Sequence, residues 1–235
     1  MAFSPLGQVM NVSRFTNDAA GLEKTLRLLQ SLALIVSYNA LEKTGWNQAR
    51  KQLALGRRYL RFTKFIDCFT FATTAFREKR GVVSVLEVGK WSCLGMYLLL
   101  ESCTIMDAMG IWSTEWAPRL FLEAMKFWFY SLSFSLLLGL AGLYNLWTEA
   151  APSGVVVVAG DEKEDEEKRK LAEKGVRDWN ARRQNVSRKM IVDACDMFIP
   201  ATTVGWMELR PDILGAIMVT STVLSSVDIW GRLNL

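Results

Sequence analysis

The sequence predicts an all-α membrane protein, and three observations carry this prediction. Only five prolines occur and runs of alternating polar and apolar residues are rare, which favours helices over strands. Hydrophobic residues make up 51% of the chain, a mild excess over an average soluble domain. Residues 127–148 are an uncharged stretch of 22 residues, about 33 Å as a helix and long enough to cross a bilayer.

Residues 1–81 are predicted to form an N-terminal helical region. The polar triplet at 16–18 is a good helix N-cap signal, and apolar residues then recur at spacings of three and four from Leu22 to Val36. A first helix is therefore expected to follow the triplet and to end near Gly45. A second helix is predicted to begin at about Trp46.

The segment 50–76 of this second helix is predicted to be amphipathic and basic. No acidic residue lies between Glu42 and Asp67. At about 100° per residue, large apolar side chains share one face; they are Leu55, Tyr59, Phe62, Phe65, Ile66 and Phe69. Basic side chains occupy the opposite face or its boundary; they are Arg50, Arg57, Arg58, Arg61 and Lys64.

Such a helix suits a membrane surface. Its apolar side chains bury in the acyl boundary while Lys and Arg meet lipid phosphates, each basic residue contributing about 1 kcal/mol near an anionic leaflet. Two other interpretations stay open at this point. The segment is also typical of an ordinary bundle helix with one face on the core, and a basic face can bind nucleic acid. Because a spanning helix follows it, we expect no nucleic-acid partner.

Residues 82–148 are predicted to form apolar helices. Within the stretch 82–112 the uncharged core, 91–100, would extend only about 15 Å as a helix, so a buried or interfacial helix is expected there, with spanning as the alternative. The stretch 127–148 is the predicted transmembrane helix, because aromatic residues stand at both of its ends. A central helix of a soluble bundle is the alternative. Small residues spaced by four on this helix let two helices approach closely, which predicts self-association or packing on the C-terminal helix; they are Ser131, Ser135 and Gly139.

The remainder of the chain divides into two parts. Residues 149–189 are predicted to be a charged linker, or the exposed start of a helix, because 161–170 is a block of charges. Residues 190–235 are predicted to be a C-terminal helical or membrane segment. Its uncharged stretch, 213–227, would reach about 22 Å as a helix, which is marginal for a second membrane helix.

Several chemistries are disfavoured by composition. The chain has no histidine, which excludes His-based triads and His metal ligands. The four cysteines are scattered without CxxC spacing, so a zinc or redox motif is not expected. No nucleophile–base pair and no phosphate-binding loop is recognisable. We therefore predict a protein that is not an enzyme, with no metal and no cofactor.

Three separated blocks resemble the peroxin-eleven family of peroxisomal membrane elongation factors. The segment AAGLEKTLRLLQ at 19–30 resembles the opening helix of that family. The run GRRYLRFTKF at 56–65, with Ala49 and Arg50 before it, resembles its lipid-binding amphipathic helix. The segments DACDMF at 193–198 and VLSSVDIW at 223–230 are similar to its C-terminal signature.

The resemblance implies a location in the peroxisomal membrane and a role in peroxisome elongation, fission and proliferation. It implies three partners: anionic phospholipids, a second copy of the chain, and a dynamin-related GTPase of the fission machinery. It also implies an alternative function, a channel for small metabolites. Acidic side chains that could face such a pore are Glu101, Asp107, Asp193 and Asp196.

Overall fold

The computed structural model describes residues 5–149 and 162–234, and within these ranges it is helical with no strand. This confirms the all-α prediction. The helices are α1 (Pro5–Asn17), α2 (Ala19–Asn39), α3 (Thr44–Leu60), α4 (Lys64–Glu78), α5 (Gly81–Cys103), α6 (Ile105–Ala108), α7 (Ala117–Thr148), α8 (Glu162–Val204) and α9 (Pro211–Asn234).

The start of α2 follows the N-cap signal of the sequence. The Asp18 carboxylate accepts hydrogen bonds from the N–H groups of Ala20 and Gly21, at 3.0 and 3.1 Å. These bonds satisfy two of the amide groups that a helix N-terminus leaves without intrahelical partners. The helix ends at Asn39, earlier than the expected end near Gly45.

The single helix expected through 50–76 is two helices, which corrects the sequence prediction. α3 ends at Leu60 and α4 begins at Lys64. In the turn between them the Phe62 N–H bonds to the Tyr59 carbonyl, at 3.4 Å. The turn contacts α5 at two points: the Ser102 hydroxyl lies 2.9 Å from the Phe62 carbonyl oxygen, and Arg61 donates to Glu101.

Among the described residues, three helices are long and apolar enough to cross a membrane: α5, α7 and α9. Only 17–22% of the apolar window of each is buried inside the protein, so most of their surface is left for lipid or a partner. α7 contains the spanning segment that the sequence predicts. α5 is longer than the uncharged core suggested, because it also includes Glu87, Lys90 and Glu101. Glu87 is paired with Lys79 at 2.5 Å, so this charge does not interrupt the helix.

Residues 162–189, expected to be a linker or the start of a helix, belong to α8. This helix of 43 residues continues into the segment 190–204 and contains a buried Pro200. Trp179 contacts α7 by donating to the Leu146 carbonyl at 3.4 Å. The linker residues 150–161 lie outside the described residues.

The helices pack in a cyclic order. α3 packs on α2, α2 on α9, α9 on α8, α8 on α7, α7 on α5, and α5 on α4. The turn between α3 and α4 then closes this order into a ring. One hydrophobic cluster fills the space between α4, α5 and α7; its buried members are Cys68, Tyr97, Leu98, Ala124 and Met125. A second feature of the interior is a polar cavity.

Candidate functional site

Arg57 faces the inside of the bundle. Its side chain is only 9% exposed, and its Nε donates to Glu23 on α2 at 2.8 Å. One of its terminal nitrogens donates to the Gln30 side chain, also on α2, at 2.8 Å. These contacts fasten α3 along α2, where Gly56 also lies against Leu26.

Arg58 and Arg61 face the same interior and share one carboxylate. Arg61 donates to Glu101 on α5 at 2.7 Å, and Arg58 lies 3.5 Å from the same oxygen. Glu101 is 4% exposed and also accepts from the Tyr97 hydroxyl at 3.1 Å. The Arg58 guanidinium lies 4.7 Å from the centre of the Phe121 ring, a cation–π contact with α7.

A cavity of about 270 Å³ lies where these side chains meet. Six helices contribute to its wall: α2, α3, α5, α7, α8 and α9. Its polar lining consists of Gln30, Arg50, Arg57, Arg58, Arg61, Glu101 and Thr203, beside the Tyr97 hydroxyl. Four of the five residues of the predicted basic face therefore line an internal space, and the fifth, Lys64, is exposed.

This placement corrects the expectation of an outward basic face. Two buried carboxylates, Glu23 and Glu101, attract the arginines inward, since an unpaired charge in a protein interior is costly. The bundle-helix interpretation fits this side of α3. That the arginines bind lipid phosphates stays a prediction, and in this conformation Arg57 reaches no outer surface.

The pKa of the Glu23 carboxyl indicates a positive potential around that group. Burial by itself would raise the pKa of the Glu23 carboxyl, but Arg57, Lys24 and Arg61 lower it to about 2. Burial and the neighbouring Arg61 lower the pKa of Arg57, despite its bond to Glu23. Burial opposes the charge of Arg61 too, but Tyr97 and Glu101 raise its pKa above the ordinary value. Positive charge is therefore in excess around Glu23 and Arg57.

The predicted apolar face divides into an exposed part and a packed part. Tyr59, Phe62 and Ile66 are 47%, 44% and 55% exposed. The other three, Leu55, Phe65 and Phe69, are half-buried. The Phe69 ring lies on Gly95 of α5, so close that a Cβ there would stand 2.8 Å from it. The sequence prediction did not include Phe71, whose ring is exposed on α4 and lies 4.9 Å from that of Trp91.

The small residues of α7 contact helices of the same chain. The Ser131 hydroxyl donates to the Lys90 carbonyl on α5 at 2.9 Å. The Ser135 hydroxyl donates to Asp193 on α8 at 2.6 Å. A Cβ at Gly139 would stand 2.4 Å from the Met190 side chain on α8. In this structure these small residues allow α7 to pack closely between α5 and α8.

The four acids considered as pore-lining residues have different partners. Glu101 lines the cavity and holds Arg61. Asp196 forms an ion pair with Arg27. Both terminal nitrogens of Arg27 contact its carboxylate, and one of them donates at 3.0 Å. Asp107 accepts from the Thr114 N–H at 3.0 Å, in the loop before α7, and Asp193 accepts from Ser135. In the described part of the chain, no cluster of three or more Cys, Asp or Glu side chains could hold a metal ion.

The sequence reasoning missed the polar partners on α2. Glu23, Arg27 and Gln30 follow one another at spacings of four and three, so they form one stripe of that helix. Arg27 is 4% exposed and also donates to Ser221 on α9 at 2.8 Å. A polar stripe on a helix of a mostly apolar protein is a signal for an internal polar face, and it could have predicted one here.

Comparisons with known proteins follow the resemblance seen in the sequence. The family model described as "Peroxisomal biogenesis factor 11 (PEX11)" matches residues 9–230. The chain is 27% identical over 226 residues to "Peroxisomal membrane protein PMP27" of Saccharomyces cerevisiae, and the alignment covers 92% of each protein. No solved structure matches the chain.

Proposed function

The chain belongs to the peroxisomal biogenesis factor 11 family, and we propose that it binds and remodels the bilayer through the outward apolar side of α3 and α4. Family and relative make it a peroxisomal membrane protein that acts in peroxisome proliferation. The observation that carries the proposal is the cluster of Tyr59, Phe62 and Ile66 at the turn between the two helices, each nearly half exposed or more. We call this cluster the apolar turn.

The position of the apolar turn suits insertion into one leaflet. α4 packs along α5, which is long and apolar enough to span a membrane, so the turn stands beside lipid when α5 spans. Fully burying a large apolar side chain contributes about 1.5–3 kcal/mol, and because these three are already about half buried, each gains roughly half of that. Three of them give several kcal/mol, enough to hold the turn in the acyl boundary. Material wedged into one leaflet expands that leaflet relative to the other, and this mismatch favours curvature.

Charge plays a different part from the one expected of a free amphipathic helix. Lys51 and Lys64 are exposed and can meet anionic headgroups, each contributing about 1 kcal/mol. Arg57 and Arg61 could reach lipid phosphates only if they left Glu23 and Glu101. Breaking a buried pair costs about 3–5 kcal/mol. The proposed wedge therefore relies on the apolar turn, with the arginines holding α3 in place.

Self-association and recruitment of a dynamin-related GTPase complete the proposal. Both are supported by the family resemblance, and self-association also by the large uncovered surface of α7, of whose apolar window 17% is buried. Cross-linking of the full chain in intact peroxisomes, with a lysine-reactive reagent of short reach, tests self-association. Monomer alone at native abundance would contradict it.

The wedge is tested with Phe62→Glu combined with Ile66→Glu in the full-length protein. In cells lacking their own family member, this variant should reach peroxisomes that stay round and few. The matched control, Phe62→Leu with Ile66→Leu, keeps apolar side chains at both positions and should restore elongation. Normal elongation with the Glu variant would contradict the proposed insertion of the apolar turn. Failure of the Leu control as well would show that the positions matter for another reason.

A further inference from the structure

The polar cavity contains more positive charge than its acids neutralise. Four arginines line it: Arg50, Arg57, Arg58 and Arg61. Two carboxylates face this group among the described side chains. Glu101 forms ion pairs with Arg58 and Arg61, and Glu23 forms an ion pair with Arg57. Four guanidinium groups and two carboxylates leave a net charge of two positive units around the cavity.

Two nitrogen atoms of these arginines also lack hydrogen-bond partners in the described part of the chain. The Nε atoms of Arg50 and Arg61 are buried, and neither has a hydrogen-bond partner among the described residues. Arg50 forms no ion pair with any residue of the described ranges, although it lines the cavity. Buried polar atoms in folded proteins are paired in the great majority of cases, so unpaired guanidinium nitrogens around one cavity point to a bound anion.

We propose that this cavity binds the phosphate of a small phosphomonoester. A guanidinium matches phosphate oxygens with its planar fork, and a phosphomonoester carries about two negative charges near neutral pH. It would therefore neutralise the whole surplus, whereas a single carboxylate would neutralise half. The volume of about 270 Å³ accommodates a phosphate with a small organic group and is below the usual range for drug-sized ligands.

The position of the cavity allows two sources of this group. Its lining residues come from the last turns of α5 and α8 and from the first turns of α7 and α9, so it lies near one end of the bundle. For spanning helices, that end is close to the headgroup layer. A soluble phosphomonoester could enter from water, and the phosphomonoester headgroup of phosphatidic acid could enter from the leaflet. The inference uses no residue of the apolar turn, so it does not depend on the proposed wedge.

The experiment measures protection of the purified full chain against thermal unfolding in phosphatidylcholine nanodiscs. One arm titrates inorganic phosphate or glycerol 3-phosphate, with sodium chloride at matched ionic strength as reference. The other arm replaces part of the phosphatidylcholine with phosphatidic acid. The test variant is Arg50→Gln, which removes a charge without breaking an ion pair to a described residue. Its matched control is Arg14→Gln, the same substitution at an exposed arginine of α1 that does not line the cavity.

Protection of the wild type and of Arg14→Gln, with affinity at least ten-fold weaker in Arg50→Gln, would support the proposal. Protection by the soluble probes assigns a soluble ligand, and protection by phosphatidic acid alone assigns a lipid headgroup. Ala54→Leu adds a test without a change of charge, because Ala54 lines the cavity and a larger side chain should block the phosphate. No protection in either arm would overturn the proposal, as would equal protection of Arg50→Gln or an effect that sodium chloride reproduces.

Discussion

Arg57 on α3 donates its Nε hydrogen to Glu23 on α2 across 2.8 Å, and both side chains are largely buried. This pair turns the basic side of α3 toward the interior, and the residues left outside include Tyr59. For a helix beside lipid the arrangement is favourable, because charge finds partners within the protein while apolar surface meets the acyl chains. The same pair makes α3 a fixed part of the bundle.

Removing Glu23 should destabilise the fold. In Glu23→Ala, Arg57 stays buried without its carboxylate, and loss of one partner of a buried pair costs about 3–5 kcal/mol. Chemical denaturation of the purified protein in detergent, followed by circular dichroism, should show a correspondingly lower free energy of unfolding. Glu42→Ala is the control: Glu42 is exposed in the loop before α3, so a change within about 0.5 kcal/mol is expected. Equal stability of the two variants would contradict the importance of the pair.

Stability should fall in acid over a defined range. The Glu23 pKa is lowered from 4.5 to about 2 in the folded protein, so its contribution is fully present above pH 4.5 and is lost as the pH falls toward 2. A shift of this size corresponds to about 3 kcal/mol. Unfolding free energies measured between pH 6 and pH 2 should decline more steeply for the wild type than for Glu23→Gln, whose side chain does not titrate. Parallel profiles would show that Glu23 is not the group responsible.

Much of the fold was predictable from local pattern. The Asp18 cap and the 22 uncharged residues of α7 are signals that a short window contains, and both structures form as expected. The spanning potential of α5 was underestimated, because counting uncharged residues treats Glu101 as an end. In the folded protein Glu101 is held by Arg61, so the helix continues through it to Cys103.

The candidate site was predictable only in part. Helical spacing correctly grouped Arg57 and Arg61 on one side of a helix, but spacing cannot tell which neighbour that side faces. Their acids lie 34 and 40 residues away in sequence, on α2 and α5. The turn at Phe62 likewise lies against Ser102 of α5, which no local window includes. Both features involve tertiary contacts.

The crossing of α2 and α9 should tolerate no added methyl group at Gly215. A Cβ there would stand 2.5 Å from the Ile35 side chain and 3.1 Å from the Ser31 carbonyl oxygen, so Gly215→Ala forces the two helices apart. A loss of about 1–3 kcal/mol is expected, as for other overpacked cores. Gly45→Ala is the control in the first turn of α3, where nothing lies within 4 Å, and it should be neutral or slightly stabilising. Thermal unfolding of both variants in detergent makes the comparison, and an unchanged midpoint for Gly215→Ala would show that the helices are not in close contact.

The two aromatic side chains Phe62 and Phe69 should differ in what they support. Phe69 lies on Gly95 and is half-buried, so Phe69→Ala should cost roughly 2–3 kcal/mol, somewhat less than a fully buried Phe. Phe62 is 44% exposed, so Phe62→Ala should change stability in detergent by less than about 0.5 kcal/mol. The effects on vesicle tubulation should have the opposite order. When equal amounts of protein are reconstituted in lipid, Phe62→Ala should tubulate vesicles less than the wild type. Folded Phe69→Ala should tubulate them nearly normally. Electron microscopy of the vesicles, with unfolding curves of the same samples, separates the two roles. Equal loss of tubulation in both variants would place the two rings in one structural core.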